Sequence, residues 1–242
     1  MIKTASIFIF YFVPMDIYGQ ALLDFYNRQP EEKLWLHNTY GGPEEMPIEV
    51  FFRGEEEMPE AELLALQLCR GKVLDIGAGA GSHALILQQQ GFDVAALEIS
   101  AGATAVMQKR GVKRVVQQDI YQYKTEKFDT LLLLMNGIGL TQTLAGLGRF
   151  LHHTKQLLLP GGQLIFDSSD IAYLYEDVPL PKNSYYGEIS YQYQYKNQKS
   201  DWFNWLYIDQ KTLLKTALKN GWNCEVLYED EMDLYLARLT LA

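Results

Sequence analysis

The chain has 242 residues, of which 21 are Lys or Arg and 30 are Asp or Glu, giving a formal net charge of −9; 48% of its residues are hydrophobic. That length suits one large domain or a domain with a cap, and the acidic balance opposes a sequence-independent grip on nucleic acid, which needs clustered cations against phosphate. The two cysteines, Cys69 and Cys224, are too few for a disulfide scaffold and point to a reducing, cytoplasmic setting, and no Cys/His cluster suggests a metal site.

The opening stretch MIKTASIFIFYFVP carries one lysine before an apolar run, like a weak signal peptide. No small-residue cleavage site follows, and the run is too short for the ~20 residues of a membrane span. Translation from Met15 is one alternative, and an N-terminal strand or arm packed on the body is another. Residues 15–28 then space apolar side chains at helical intervals, and a loop-rich Gly/Pro/Glu stretch leads to a helix predicted just after Pro59.

From there short apolar runs alternate with helical patterns: KVLDIG, a helix near 82–90, DVAALEI, a helix near 102–110, RVVQQDI, FDTLLLLMNG, a helix near 143–157, and GGQLIFDSS. Continuous apolar strands separated by helices predict a parallel sheet covered on both faces. His152 and His153 fall in one of these helices, where neighbours point different ways, and read as solvated surface. A helix near 209–220 leads to two closing strands joined by the acidic turn Glu229–Asp233.

Between the fifth strand and that last helix lies an insertion, 171–208, whose tail GEISYQYQYKNQKSDWFNWLYI alternates aromatic and polar residues around a polar turn. The pattern predicts a hairpin, serving either as a half-buried extension of the sheet or as an aromatic lid. The expected domains are an N-terminal segment 1–58 contributing to a cap, a core of 59–170 and 209–242, and the inserted 171–208.

The stretch VLDIGAGAGSHAL carries the chemistry. Asp75 tips a strand, Gly77, Gly79 and Gly81 make a bend, and Ser82 and His83 start a helix. Open α/β sheets bind ligands at the carboxyl ends of their strands, and glycines there admit close approach to the backbone. Glu98 follows Gly77 by 21 residues, at the end of the second strand, where a carboxylate accepts from ribose hydroxyls. These features alone imply an adenosine-type ligand.

A nicotinamide dinucleotide is a rival, because Gly79 to Ala84 can be matched to GxGxxG/A. Asp75 would then lie beside the turn that holds a pyrophosphate, where like charges repel. The motif also lies about 70 residues into the chain, and the closing strand pair is not expected of a simple dinucleotide fold.

VLDIGAGAG resembles the first motif of class I S-adenosylmethionine-dependent methyltransferases, ALEIS the second, VQQDI the third, FDTLLLLMNGIG the fourth, and LLLPGGQLIFD the turn into their fifth strand. The resemblance covers roughly residues 60–170 and the closing strands. It implies a Rossmann-like, doubly wound, mostly parallel α/β sheet of seven strands, with an antiparallel last strand and here an inserted cap. The implied cofactor is S-adenosylmethionine, with Asp75, Gly77, Ala78, Gly79 and Gly81 at its amino-acid portion. It further implies Glu98 and Ile99 at the ribose, Gln118, Asp119 and Ile120 at the adenine, and Met135, Asn136 and Gly137 beside the methionine part. Asp75 capping the turn and Asp119 capping a loop are the plainer readings of those two acids.

Candidates for handling an acceptor's proton cluster at the ends of strands four and five: Asn136, Asp167, Ser168, Ser169 and Asp170, chiefly Asn136, Asp167 and Asp170, with Ser168 and Asp170 capping the next helix as the plainer reading. Tyr40 is expected over the cofactor, and Arg53 against its carboxylate. The fourth motif reads MNGIG, not the Asn/Asp-Pro-Pro-aromatic pattern of enzymes that methylate amino groups of nucleic acids. The expected partner is therefore a small-molecule substrate, with nucleic acid disfavoured, no membrane, and a homodimer allowed. A cofactor-binding module that regulates a partner without turnover stands as the non-enzymatic alternative.

Overall fold

The computed structural model describes residues 15–29 and 32–242. The apolar opening stretch 1–14, on which the choice between leader, arm and a start at Met15 rests, lies outside the described residues. Among the described residues, no helix is long and apolar enough to cross a membrane.

Helix α1 (Ile17–Tyr26) is followed by strands β1 (Leu34–Asn38) and β2 (Glu44–Met46), short 3-10 turns, and α2 (Glu60–Leu68). The core then alternates: β3 (Lys72–Ile76), α3 (Ser82–Gln89), β4 (Asp93–Glu98), α4 (Ala101–Arg110), β5 (Val115–Gln117), β6 (Phe128–Leu133), α5 (Leu144–Thr154) and β7 (Leu158–Ser169). Strands β8 (Glu188–Tyr195), β9 (Gln198–Lys199) and β10 (Phe203–Leu206) form the insertion, before α6 (Gln210–Lys219), β11 (Trp222–Glu229) and β12 (Leu234–Leu241).

Seven strands make the main sheet in the order β11-β12-β7-β6-β3-β4-β5. Pairings from β5 to β7 are parallel. β12 runs antiparallel to β7 and β11 antiparallel to β12, so the chain's last strand alone opposes the others. This is the predicted Rossmann-like, doubly wound architecture. Order reverses at β3, with β6 on one side and β4 on the other, and that switch point is where such sheets leave a crevice for a ligand.

The period of two in the strands sorts side chains between the faces. Leu74, Ile76, Leu164 and Phe166 meet the α5 and α6 residues Leu147, Phe150, Leu213 and Ala217. Val73, Leu132 and Ile165 meet Ala65 and Leu66 of α2, Ala84 and Leu87 of α3, and Met107 of α4. Asp75 and Asp167 each stand two residues beyond a member of the second set, so both point to the face covered by α2 and α3.

The stretch around residues 37–59, expected to be loop, contains β1's end, β2 and 3-10 turns. β1 pairs with β8, Leu34 opposite Tyr195 and Leu36 opposite Tyr193, and β8 pairs with β10. The N-terminal segment and the insertion thus share one sheet, β10-β8-β1-β2, with β9 paired to β8. Sequence pattern missed β1 because the partner that completes it lies 161 residues away, as in Leu34↔Tyr195.

Candidate active site

The bend after β3 is held by the strand beside it. The Gly77 amide donates to the Leu97 carbonyl at 2.8 Å, and the Gly79 amide donates to Glu98 Oε2 at 3.0 Å. Gly77, Gly79 and Gly81 all have positive φ, which L side chains rarely adopt. At Gly79, with φ +55°, a Cβ would also come within 2.9 Å of the Tyr18 hydroxyl. Arg110 supports the bend from below, donating to the Ala80 carbonyl at 2.8 Å and stacking on Phe52.

Glu98 is buried and accepts two more amides, from Ile99 at 2.8 Å and Ser100 at 2.9 Å. Burial raises its pKa, and the three amides work against that rise. A carboxylate has about four acceptor sites, so the three amides leave room for one further donor. Ile99 is 68% exposed beside it, an apolar surface suited to the flat face of a base.

Asp75 is 2% exposed, and its Oδ2 has no hydrogen-bond partner. Burial raises its pKa to about 6, against the lowering effect of His83 and an Ala84 amide. A buried, unpartnered carboxylate oxygen at the bend fits a ligand that brings a cation, and fits a pyrophosphate poorly.

Met135 and Asn136, after β6, both adopt left-handed backbone conformations, with φ of 59° and 53°. The Asn136 amide donates to both oxygens of Asp167, at 2.9 and 3.0 Å. Its side chain is fixed as well, accepting from Ser168 Oγ at 3.0 Å and donating to the Leu206 carbonyl at 3.3 Å. Burial lifts Asp167 to about 7, only partly offset by the Asn136 amide. Two adjacent non-glycine residues in this region store strain that the Asp167 and Ser168 contacts hold in place.

The other predicted residues make contacts of their own. Asp170 precedes the 3-10 turn Ala172–Tyr175, accepting from the Ala172 amide at 2.9 Å and the Tyr186 hydroxyl at 2.6 Å, while Ser168 belongs to the Asn136 network rather than to a cap. Asp119 accepts from the Tyr121 amide at 2.9 Å, the loop-capping geometry, and the neighbouring Gln118 amide donates to the Glu98 carbonyl at 3.0 Å. Ile120 is buried. Arg53, expected against the cofactor's carboxylate, donates to Glu62 Oε1 at 2.7 Å and to the Val50 carbonyl at 2.9 Å. Glu62 is a buried acid, and leaving it without a cation would be costly. Tyr40 lies in the turn between β1 and β2 of the second sheet, its hydroxyl donating to Glu44 at 3.1 Å.

That second sheet presents rings to the strand ends. Tyr18 stacks on Tyr193, Tyr193 lies against Phe203, and Phe203 meets Trp205 edge-on. Trp205 lies so close to Gly139 that a Cβ there would run into the indole. Tyr191 donates to the Tyr207 hydroxyl at 3.2 Å, and Tyr40 sits edge-on to Tyr191. Around this aromatic region Tyr40 reaches Glu44, Tyr186 reaches Asp170 and Tyr185 reaches Asp209, while Tyr195 of the same sheet reaches Asp24, which is paired with Lys196.

Sequence reasoning passed over His83. It is buried, and its Nε2 lies 2.7 Å from Glu62 Oε2. Burial opposes its charged form, but the Glu62 hydrogen bond and the charges of Asp75, Glu62 and Asp167 outweigh that and raise its pKa. The contact joins residues 21 apart on different helices, and no local spacing announces it. Tyr18 was missed as well; burial raises its pKa well above the usual range, reinforced by Glu98.

Residues 74–166 match the family model described as a methyltransferase domain. Among curated proteins, none matches the sequence. The solved structure of an S-adenosylmethionine-dependent methyltransferase from Bacteroides fragilis, in complex with S-adenosyl-L-homocysteine, is 42% identical with a TM-score of 0.87, over 94% of this chain and 95% of that one. The CcbJ methyltransferase from Streptomyces caelestis, at 13% identity and TM-score 0.64, shares the fold over 93% of this chain and 98% of its own. A methyltransferase from Clostridium acetobutylicum does so at 15% identity and TM-score 0.57, over 77% and 94% of the two chains. An acid-tipped glycine bend joined to Glu98, a seven-stranded sheet closed by one antiparallel strand, and a full-length relative at 42% identity agree: the chain belongs to the S-adenosylmethionine-dependent methyltransferases.

Proposed function

We propose that this enzyme methylates a small molecule seated between the glycine bend and the aromatic face of the second sheet. The observation that carries the reading is the row of rings from Tyr18 through Tyr193 and Phe203 to Trp205, which runs from the bend to Gly139. When bound, S-adenosylmethionine supplies an electrophilic methyl group on a sulfonium centre. Asp75 and the bend from Gly77 to Gly81, Ala78 included, hold its amino-acid end. Glu98 takes a ribose hydroxyl with its remaining acceptor site, Ile99 carries the adenine face, and Gln118, Asp119 and Ile120 border the base. Met135, Asn136 and Gly137 position the methionine part.

Positioning and exclusion of water supply most of the acceleration in an in-line displacement. Where the acceptor has a proton to lose, Asp167 is the group of suitable basicity, since burial lifts it to about 7. The aromatic region's carboxylate neighbours favour a neutral or cationic acceptor over an anionic one. Two free cysteines, one of them buried, support a reducing, cytoplasmic setting.

The test is incubation with a metabolite extract and S-adenosylmethionine labelled in its methyl group. Label in a low-mass product supports the reading. Label confined to protein or nucleic acid, or binding of S-adenosylhomocysteine with no transfer, contradicts it.

A further inference from the structure

Four elements converge behind the bend. Arg53 donates to Glu62 Oε1 at 2.7 Å, and Glu62 Oε2 lies 2.7 Å from His83 Nε2. Strand periodicity turns Asp75 of β3 and Asp167 of β7 to the same side, and both act electrostatically on His83. Arg53 and an imidazolium at His83 balance Glu62 and one of the two aspartates, so the cluster is one positive charge short once Asp75 and Asp167 are both ionised. The only buried oxygen of that group without a partner is Asp75 Oδ2.

We infer that His83 is a positioning residue for the cofactor: held as a cation by Glu62, which Arg53 keeps in place, it keeps Asp75 ionised so that the cofactor's ammonium group supplies the missing charge. The inference rests on the reading that this ammonium lies at the Asp75 end of the bend. Without a cation behind it, a carboxyl as buried as Asp75 keeps its proton and offers the ammonium little. Glu62 serves the same end one step further back. Its own pKa is lowered because the His83 hydrogen bond and the Arg53 charge overcome burial.

Calorimetric titrations between pH 5.5 and 8.5 test this on wild type, His83→Gln, Glu62→Gln and Asp75→Asn. The probes are S-adenosylhomocysteine and methylthioadenosine, which has the nucleoside and sulfur but no ammonium. In wild type, affinity for S-adenosylhomocysteine falls as pH drops through about 6, where Asp75 takes up its proton. In His83→Gln and Glu62→Gln that fall moves to higher pH by about one unit, while methylthioadenosine affinity stays at the wild-type value. An unshifted profile in both variants overturns the inference. So does a parallel loss for both probes, the mark of a merely structural role. Wild-type affinity for S-adenosylhomocysteine in Asp75→Asn overturns instead the underlying placement of the ammonium.

Discussion

Asp16 holds the starts of two helices at once. Its Oδ1 accepts from the Gly19 amide at 2.9 Å within α1, and its Oδ2 accepts from Ser100 Oγ and the Gly102 amide at the start of α4, each at 2.8 Å. Two residues further on, Tyr18 brings its hydroxyl to Gly79. Asp16 therefore fixes how the N-terminal helix lies on the bend. Replacing Asp16 with Ala removes the α1 cap and its bridge to α4 and is expected to lower stability by about 1–3 kcal/mol and to weaken S-adenosylhomocysteine binding, read by chemical denaturation and by calorimetry. Unchanged stability would show that α1 is held elsewhere.

Glu98 is the junction of the first two motifs, since it accepts the amides of Gly79, Ile99 and Ser100. Glu98→Gln sets an NH2 group against backbone donors and removes the charge. Affinity for S-adenosylhomocysteine should fall about 10- to 100-fold in a direct titration.

Trp205 lies against Gly139 on the acceptor side of the proposed site. Trp205→Ala should raise KM for the acceptor while leaving the dissociation constant of S-adenosylhomocysteine within about two-fold of wild type. Steady-state kinetics and a binding titration read the two effects separately. An equal loss in both would place Trp205 on the cofactor.

Asp167 makes stability depend on pH. Its folded pKa, lifted by burial to about 7, exceeds the ~3.9 of an unfolded Asp. Such a group binds its proton more tightly in the folded chain, so its contribution is complete below ~3.9 and is lost as pH rises through about 7. In the ligand-free protein, Asp167→Asn keeps an acceptor for the Asn136 amide and removes this loss. The variant should gain about 1–4 kcal/mol relative to wild type between pH 4 and pH 8. Denaturant midpoints at the two pH values measure it, and parallel wild-type and variant curves would refute it.

The core was legible because each piece is local. β3, β4, β6 and β7 are apolar runs buried on both faces, and the bend and Glu98 are short strings at a fixed interval. The closing pair β11 and β12 was equally plain from its acidic turn. What escaped depends on contacts distant in the chain. β1 becomes a strand through β8, and Arg53 is directed by Glu62, which sits on a helix packed behind the sheet. His83 reads as an ordinary helix-start residue until that same Glu62 is brought within 2.7 Å. The left-handed Met135 and Asn136 carry no sequence signal, because neither is glycine; Asp167 and Ser168 from the neighbouring strand hold them there.

In the proposed complex the bend and Glu98 together cradle the cofactor. A crystal structure of the complex with S-adenosylhomocysteine tests it most directly. The account predicts a ribose hydroxyl on the Glu98 carboxylate, adenine over Ile99, and the ammonium at the Asp75 end of the bend. A ligand bound elsewhere, or Glu98 turned away from the sugar, would contradict it.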